Sequence, residues 1–85
     1  MTNVPGAPRV LLVEDEPNLA RGIRENLEAE GYLVDLVDNG ITALARMEAH
    51  AYDLVVLDVM LPGVDGFEVC RRLRQSTPTP VVMLT

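Results

Sequence analysis

Three acidic residues stand directly behind two apolar runs of the sequence. Glu14 and Asp15 follow the run at residues 10–13, and Asp58 follows the run at residues 54–57. If both runs are neighbouring strands of a parallel sheet, the three carboxylates converge at its carboxyl edge, where ligands bind in open α/β folds. A hard cation that prefers oxygen ligands, Mg²⁺ above all, would relieve their mutual repulsion. One carboxylate could then act as a nucleophile toward a phosphoryl group and form an aspartyl phosphate.

The strands that must position these acids alternate with helical patterns along the chain. Apolar runs at residues 10–13, 32–37, 53–58 and 80–84 predict four strands, and the second is predicted at a sheet edge because Asp35 and Asp38 bracket its apolar residues. The resulting order is βαβαβαβ. Because each crossover helix returns the chain to the same sheet, this order predicts an α/β fold with a parallel sheet of flavodoxin-like type.

Three helices are predicted between the strands. The first begins at Pro17, whose missing N–H costs nothing in a first turn, and closes at Gly31. The second follows the turn at residues 38–40, and the third begins near Asp65 or Gly66. Apolar residues at helical spacing predict the faces that pack against the sheet. They are Leu19, Ala20, Ile23 and Leu27 in the first helix, Ala43, Leu44 and Met47 in the second, and Phe67, Cys70 and Leu73 in the third.

Composition narrows the class of protein. Eighty-five residues make at most one small domain, with residues 1–8 as a flexible leader and residues 9–85 as the folded part. The net charge of −6 argues against a general nucleic-acid surface, and all seven basic residues are Arg, so the chain contains no lysine. The single cysteine, the lack of a membrane-spanning run and the lack of a signal peptide favour a cytoplasmic protein without membrane contact.

Three motifs in order resemble the receiver domains of two-component response regulators. They are VLLVEDE at residues 10–16, DLVVLDVMLPGVDG at residues 53–66 and PVVMLT at residues 80–85. The resemblance covers essentially the whole chain, and the ordered set is far more specific than any motif alone. It implies a phosphoacceptor signalling domain, not an enzyme, that takes a phosphoryl group from a sensor histidine kinase with Mg²⁺ bound.

The resemblance also implies a role for each site residue. Asp58 looks like the phosphoacceptor, Asp15 a direct Mg²⁺ ligand, and Glu14 a partner that acts largely through water. Met60 matches the position whose backbone carbonyl coordinates the metal, so the implied metal set is Glu14, Asp15, Asp58 and Met60. Thr85 resembles the switch hydroxyl that hydrogen-bonds the phosphoryl oxygen.

One departure from the family pattern concerns the end of the sequence. The family places a lysine at the end of a fifth strand, whereas this sequence stops at Thr85. The chain is therefore expected to be the first two-thirds of a receiver, without the fourth helix, fifth strand and fifth helix. Residues 81–84 would then be an uncharged edge strand, from which we predict a homo-oligomer. DNA binding is expected only through an output domain outside this chain.

Other functions fit the sequence less well. The main alternative is an incomplete receiver that acts only through protein association, without phosphotransfer. An aspartate-nucleophile phosphatase usually carries a second acid two residues after the nucleophile, where this chain has Met60. A dinucleotide site needs a glycine-rich loop after the first strand, and VEDEPN has no glycine. Glu16 is better explained as a cap of the first helix than as a site residue.

Overall fold

The computed structural model describes residues 6–58 and 66–84. Within them the strands are β1 (Arg9–Val13), β2 (Leu33–Val37), β3 (Leu54–Asp58) and β4 (Val81–Leu84). The helices are α1 (Pro17–Ala29), α2 (Gly40–Ala49) and α3 (Gly66–Ser76). The predicted βαβαβαβ order is confirmed. β1 begins at Arg9, while the leader predicted over residues 1–8 lies partly outside the described residues and stays a prediction.

The four strands form one parallel sheet in the order β2-β1-β3-β4. β2 is an edge strand, as predicted, and β1 lies beside β3 with Val13 paired to Leu57. This register makes the residues that follow β1 neighbours of the last residue of β3. The flavodoxin-like arrangement therefore has the adjacency that the acidic residues require.

Successive residues of β1 point to opposite faces of the sheet, which divides the core in two. Leu11 and Val13 pack with Ala43 of α2 and with Val69 and Leu73 of α3. Val10 and Leu12 pack on the other face, where Ile23 and Leu27 of α1 cover them. Because β1 and most of β3 are buried on both faces, packing restrains the carboxyl end of each strand.

Local sequence explains where α1 begins and ends and where α2 begins. Pro17 occupies the first turn of α1, and the Glu16 side chain accepts hydrogen bonds from the backbone N–H groups of Asn18 and Leu19. Gly31 follows α1 with φ +94°, a conformation that glycine adopts without strain. Asn39 caps α2 by accepting the N–H of Thr42. Among the described residues, none of these helices is long and apolar enough to cross a membrane.

Two predicted core residues are instead exposed. Leu19 is 49% exposed and Phe67 is 68% exposed, whereas Val69 is completely buried. In an α-helix each residue turns about 100°, so Phe67 lies about 160° around α3 from Val69. The prediction for α3 was wrong at Phe67 and right at Leu73 and Cys70. The face that packs on the sheet carries Gly66, Val69 and Leu73, with Cys70 partly buried against the same core. Leu19 lies at the rim of its face in the first turn of α1.

Candidate metal centre

The three acidic residues named from the sequence come together at the carboxyl edge of the sheet. Glu14 and Asp15 directly follow β1, and Asp58 is the last residue of β3. One carboxylate oxygen from each of Glu14, Asp15 and Asp58 lies within 4.8 Å of the others. The backbone N–H of Glu14 donates to Val37 O at 3.0 Å, which extends the β1–β2 ladder into this edge. The convergence predicted from neighbouring parallel strands is therefore present.

The three carboxylates differ in their exposure to solvent. Glu14 is only 2% exposed, Asp58 is half-buried, and Asp15 is exposed. Glu14 Oε2 accepts the backbone N–H of Glu16 at 3.0 Å. Its second oxygen, Oε1, is buried and has no hydrogen-bond donor among the residues that the structure describes. A buried carboxylate oxygen without a partner is unfavourable, so this atom needs a positive or donor group from elsewhere.

The electrostatics of the cluster also indicate that a positive group is needed there. The pKa of Glu14 is raised above its ordinary value, chiefly because burial disfavours the charged carboxylate. The N–H of Glu16 opposes this rise, while Asp58 raises the pKa of Glu14 further by repulsion and by a side-chain hydrogen bond. Asp15 raises it less strongly, by repulsion. Three acids in one place are therefore destabilising to one another when charged.

This donor set fits a hard divalent cation. Mg²⁺ is usually held by one or two carboxylates and keeps several waters, and a partly open site with oxygen donors suits that preference. Glu14, Asp15 and Asp58 are the described residues that could hold it, and Glu14 Oε1 is the atom whose lack of a partner the cation would relieve, directly or through water. Met60 and Thr85, the other predicted site residues, lie outside the described residues and stay predictions.

The loop between β1 and α1 contains a contact that the sequence prediction missed. Glu16 was predicted to cap α1, and it does so through both of its side-chain oxygens. Its backbone N–H also turns back to Glu14 Oε2, so one residue contacts both the helix and the buried acid. Three consecutive acidic residues before a proline were the signal in the sequence, but spacing alone does not show which of them turns inward.

Comparison with known proteins adds an independent observation. The protein family described as "Response regulator receiver domain" matches residues 10–85. The transcriptional regulatory protein TcrA of Mycobacterium tuberculosis is 55% identical over 78 residues, which are 91% of this chain and 31% of TcrA. The chain thus spans about a third of the length of the curated relatives that it matches.

Solved structures show the same likeness. The response regulator TrrA of Thermotoga maritima, solved in complex with Mg²⁺-BeF, is 39% identical with a TM-score of 0.87, over 92% of this chain and 69% of TrrA. TrrA has also been solved in complex with the histidine kinase ThkA. The receiver domain of the sensor histidine kinase PA1611 of Pseudomonas aeruginosa, solved with magnesium in its active site cleft, is 35% identical with a TM-score of 0.90. That match covers 94% of this chain and 68% of PA1611's receiver chain.

Proposed function

The chain belongs to the response regulator receiver domain family, and on that premise we propose that it accepts a phosphoryl group on Asp58 with Mg²⁺ bound between the three carboxylates. The observation that carries this proposal is the geometry of the cluster. Its three carboxylate oxygens lie within 4.8 Å of one another, and the buried Oε1 of Glu14 has no donor among the described residues. An acidic cluster of this kind is suited to a cation and to an anionic substrate that shares it.

Asp58 is the best candidate for the nucleophile among the three acids. Glu14 is buried and held by the N–H of Glu16, so it cannot approach a phosphoryl group that arrives from solvent. Asp15 lies in the loop after β1 and is exposed, without a strand to restrain its backbone. Asp58 combines partial exposure with a backbone paired to Leu84 in the sheet. Both requirements of an in-line attack, access and a restrained position, are met there.

In the proposed reaction a carboxylate oxygen of Asp58 forms a bond to phosphorus while the bond from phosphorus to the donor nitrogen of a phosphohistidine breaks. Bound Mg²⁺ would supply positive charge for the phosphoryl oxygens. Asp15 and the Met60 carbonyl would hold the ion, and Glu14 would act on it largely through water. The Thr85 hydroxyl hydrogen-bonds the phosphoryl oxygen after transfer. The chain acts as a signalling phosphoacceptor, not as an enzyme with an external product.

The partners proposed for this chain follow from its relatives. A histidine kinase is the proposed donor, supported by the structure of TrrA bound to ThkA. Transcriptional output is proposed because TcrA is a transcriptional regulatory protein, and any DNA contact would come from an output domain outside this chain. A homo-oligomer stays a prediction; among the described residues β4 is an edge strand with Val82 49% exposed. A cytoplasmic location also stays a prediction.

A phosphorylation assay that compares the same substitution at two aspartates tests the proposal. The chain is incubated with Mg²⁺ and a small acyl phosphate, and intact mass reports the addition of one phosphoryl group. Asp58→Asn keeps the size of the side chain and removes the nucleophile, so the added mass is expected to disappear. Asp38→Asn is the control, since Asp38 is an exposed acid that follows β2 at the same edge and lies outside the cluster. Phosphorylation of Asp58→Asn at the wild-type rate would refute the assignment.

A further inference from the structure

We propose that Glu16 is a positioning residue for the metal centre: its side chain caps α1 and thereby aims its own backbone N–H at Glu14, which holds the Glu14 carboxylate in the orientation that receives the cation. This inference rests on the proposed function, because it assigns the residue that prepares the same site. Glu16 does not itself belong to the group of carboxylates that converge.

The first step of the argument is the capping contact. Glu16 has extended backbone angles, φ −86° and ψ 115°, and immediately precedes the first helical residue, Pro17. Its Oε1 accepts the N–H of Asn18 at 3.2 Å and its Oε2 accepts the N–H of Leu19 at 2.6 Å. These two bonds satisfy N–H groups that a helix start leaves without partners, and they restrain the backbone of Glu16 relative to α1.

The second step is the contact with the buried acid. The backbone N–H of Glu16 donates to Glu14 Oε2 at 3.0 Å. This bond restrains one oxygen of a side chain that is only 2% exposed. The other oxygen, Oε1, is buried without a donor among the described residues. Oε1 is thus the Glu14 oxygen that has no donor among the described residues, and its orientation depends on the contact of Oε2 with the Glu16 N–H.

The third step links these contacts to metal affinity. Groups that orient a ligand through a hydrogen bond commonly change metal affinity by about 10-fold to 100-fold when they are lost. Without its side-chain cap the backbone at Glu16 gains freedom, and the N–H no longer holds Glu14 in one orientation. The binding of Mg²⁺ must then restrain Glu14 itself, which weakens the apparent affinity.

Calorimetric titration of the chain with Mg²⁺ tests this proposal. Glu16→Ala is expected to raise the dissociation constant about 10-fold, whereas Glu16→Gln, which keeps one of the two capping oxygens and loses the charge, is expected to raise it less than half as much. Equal weakening by Ala and Gln would mean that the charge of Glu16 acts directly on the cation, and this would overturn the proposal. If Glu16→Ala does not fold, Glu16→Gly replaces it, since glycine at a cap preserves most of the helix stability.

Two further variants separate positioning from a general loss of stability. Asn39→Ala removes the cap of α2, an equivalent bond outside the acidic cluster, and is expected to lower stability with Mg²⁺ affinity unchanged. In a Glu14→Gln background, Glu16→Ala is expected to change the residual affinity less than about twofold, because Glu16 acts through Glu14. Weakening by Asn39→Ala comparable to that by Glu16→Ala, or a full effect of Glu16→Ala without Glu14, would overturn the proposal.

The wild-type titration distinguishes this inference from the proposed function. If the wild-type chain binds Mg²⁺ and Glu16→Ala binds it equally well, this inference alone is wrong. If the wild-type chain does not bind Mg²⁺, the proposed function and the inference both fail.

Discussion

The hydroxyl of Tyr52 donates a hydrogen bond of 2.7 Å to Oδ2 of Asp35, which joins the loop before β3 to the edge strand β2. Arg9 of β1 donates to the same oxygen at 3.1 Å, and its guanidinium lies 5.5 Å from the centroid of the Tyr52 ring. The pKa of Asp35 is lowered, chiefly by the bond from Tyr52 and further by Arg9. These contacts connect β1, β2 and the loop before β3 at a place away from the metal centre.

Removing the Tyr52 hydroxyl is expected to destabilise the fold. Tyr52→Phe keeps the ring, which is 6% exposed in the core, but takes the principal hydrogen bond from a charged carboxylate. The free energy of unfolding in urea at neutral pH is expected to fall by about 1 kcal/mol, since Asp35 is partly exposed and Arg9 remains beside it. Tyr32→Phe is the control, because the Tyr32 hydroxyl has no partner among the described residues. Equal losses in the two variants would contradict this account.

The effect of Tyr52→Phe is also expected to depend on pH. The folded-state pKa of Asp35 is lowered below its unfolded value, which is about 3.9. Its contribution to stability is therefore complete above that value and is lost as the pH falls through the folded-state pKa. The difference in stability between wild type and Tyr52→Phe should be constant from about pH 6 to 8 and shrink below about pH 4. Urea unfolding of both proteins across this range measures it, and a difference that grows in acid would show the opposite sign.

The hydroxyl of Tyr52 is expected to ionise at a higher pH than an ordinary tyrosine hydroxyl. Burial, with the hydrogen bond and charge of Asp35, raises the pKa of Tyr52 to about 12. A raised pKa stabilises the fold below the unfolded value of about 10 and loses that contribution as the pH rises toward 12. Since the chain has two tyrosines, Tyr32→Phe leaves Tyr52 as the sole source of tyrosinate absorbance. Its titration midpoint is expected near 12, and a midpoint near 10 with the fold intact would contradict the contact.

Mg²⁺ is expected to stabilise the chain through the acidic cluster. At a concentration of 100 times its dissociation constant, a ligand that binds only the folded state adds about 2.7 kcal/mol to the free energy of unfolding. Asp15→Asn should reduce this gain because it removes a charged donor from the cluster, whereas Asp38→Asn should leave it unchanged. Unfolding curves at matched ionic strength, with and without Mg²⁺, provide the measurement. An equal gain in all three proteins would mean that the cation binds elsewhere.

Two substitutions in α3 test which face of the helix packs on the sheet. Val69→Ala removes two methyl groups from a completely buried side chain and is expected to lower the free energy of unfolding by about 2 kcal/mol. Phe67→Ala alters a side chain that is 68% exposed and should change it by less than about 0.5 kcal/mol. Urea unfolding compares them directly. A larger loss for Phe67→Ala would mean that Phe67 packs in the core, as the sequence predicted.

Much of the fold was predictable because it depends on short-range patterns. Apolar runs of four or five residues in alternation with amphipathic segments indicated a parallel sheet, and the observed strands and helices begin and end close to the predicted residues. Glu16 before Pro17 indicated the start of α1, since a capping side chain and a proline both act within one helical turn. The predictions for Met60 and Thr85 remain untested, because both lie outside the described residues.

The first turn of α3 was less predictable. Phe67 and Val69 are both apolar, and either can share a helical face with Leu73 and Cys70. In the folded chain Val69 is buried in the core cluster with Leu73, whereas Phe67 is 68% exposed. Both apolar side chains favour burial, but only the one on the helix face toward the sheet is packed in the core.

By itself, the sequence determined that Glu14, Asp15 and Asp58 follow parallel strands and would share one edge of the sheet if those strands were neighbours. The tertiary structure supplied the pairing of β1 with β3 that brings them together. Only the tertiary structure decided that Glu14 turns inward to a buried position while Asp15 faces solvent. It also brought together Tyr52 and Asp35, which are 17 residues apart. The physical reason is that strand alternation ends with the strand. Beyond it, side-chain direction depends on how the loop folds, as at the Glu16 N–H, and on contacts between distant segments, as between Tyr52 and Asp35.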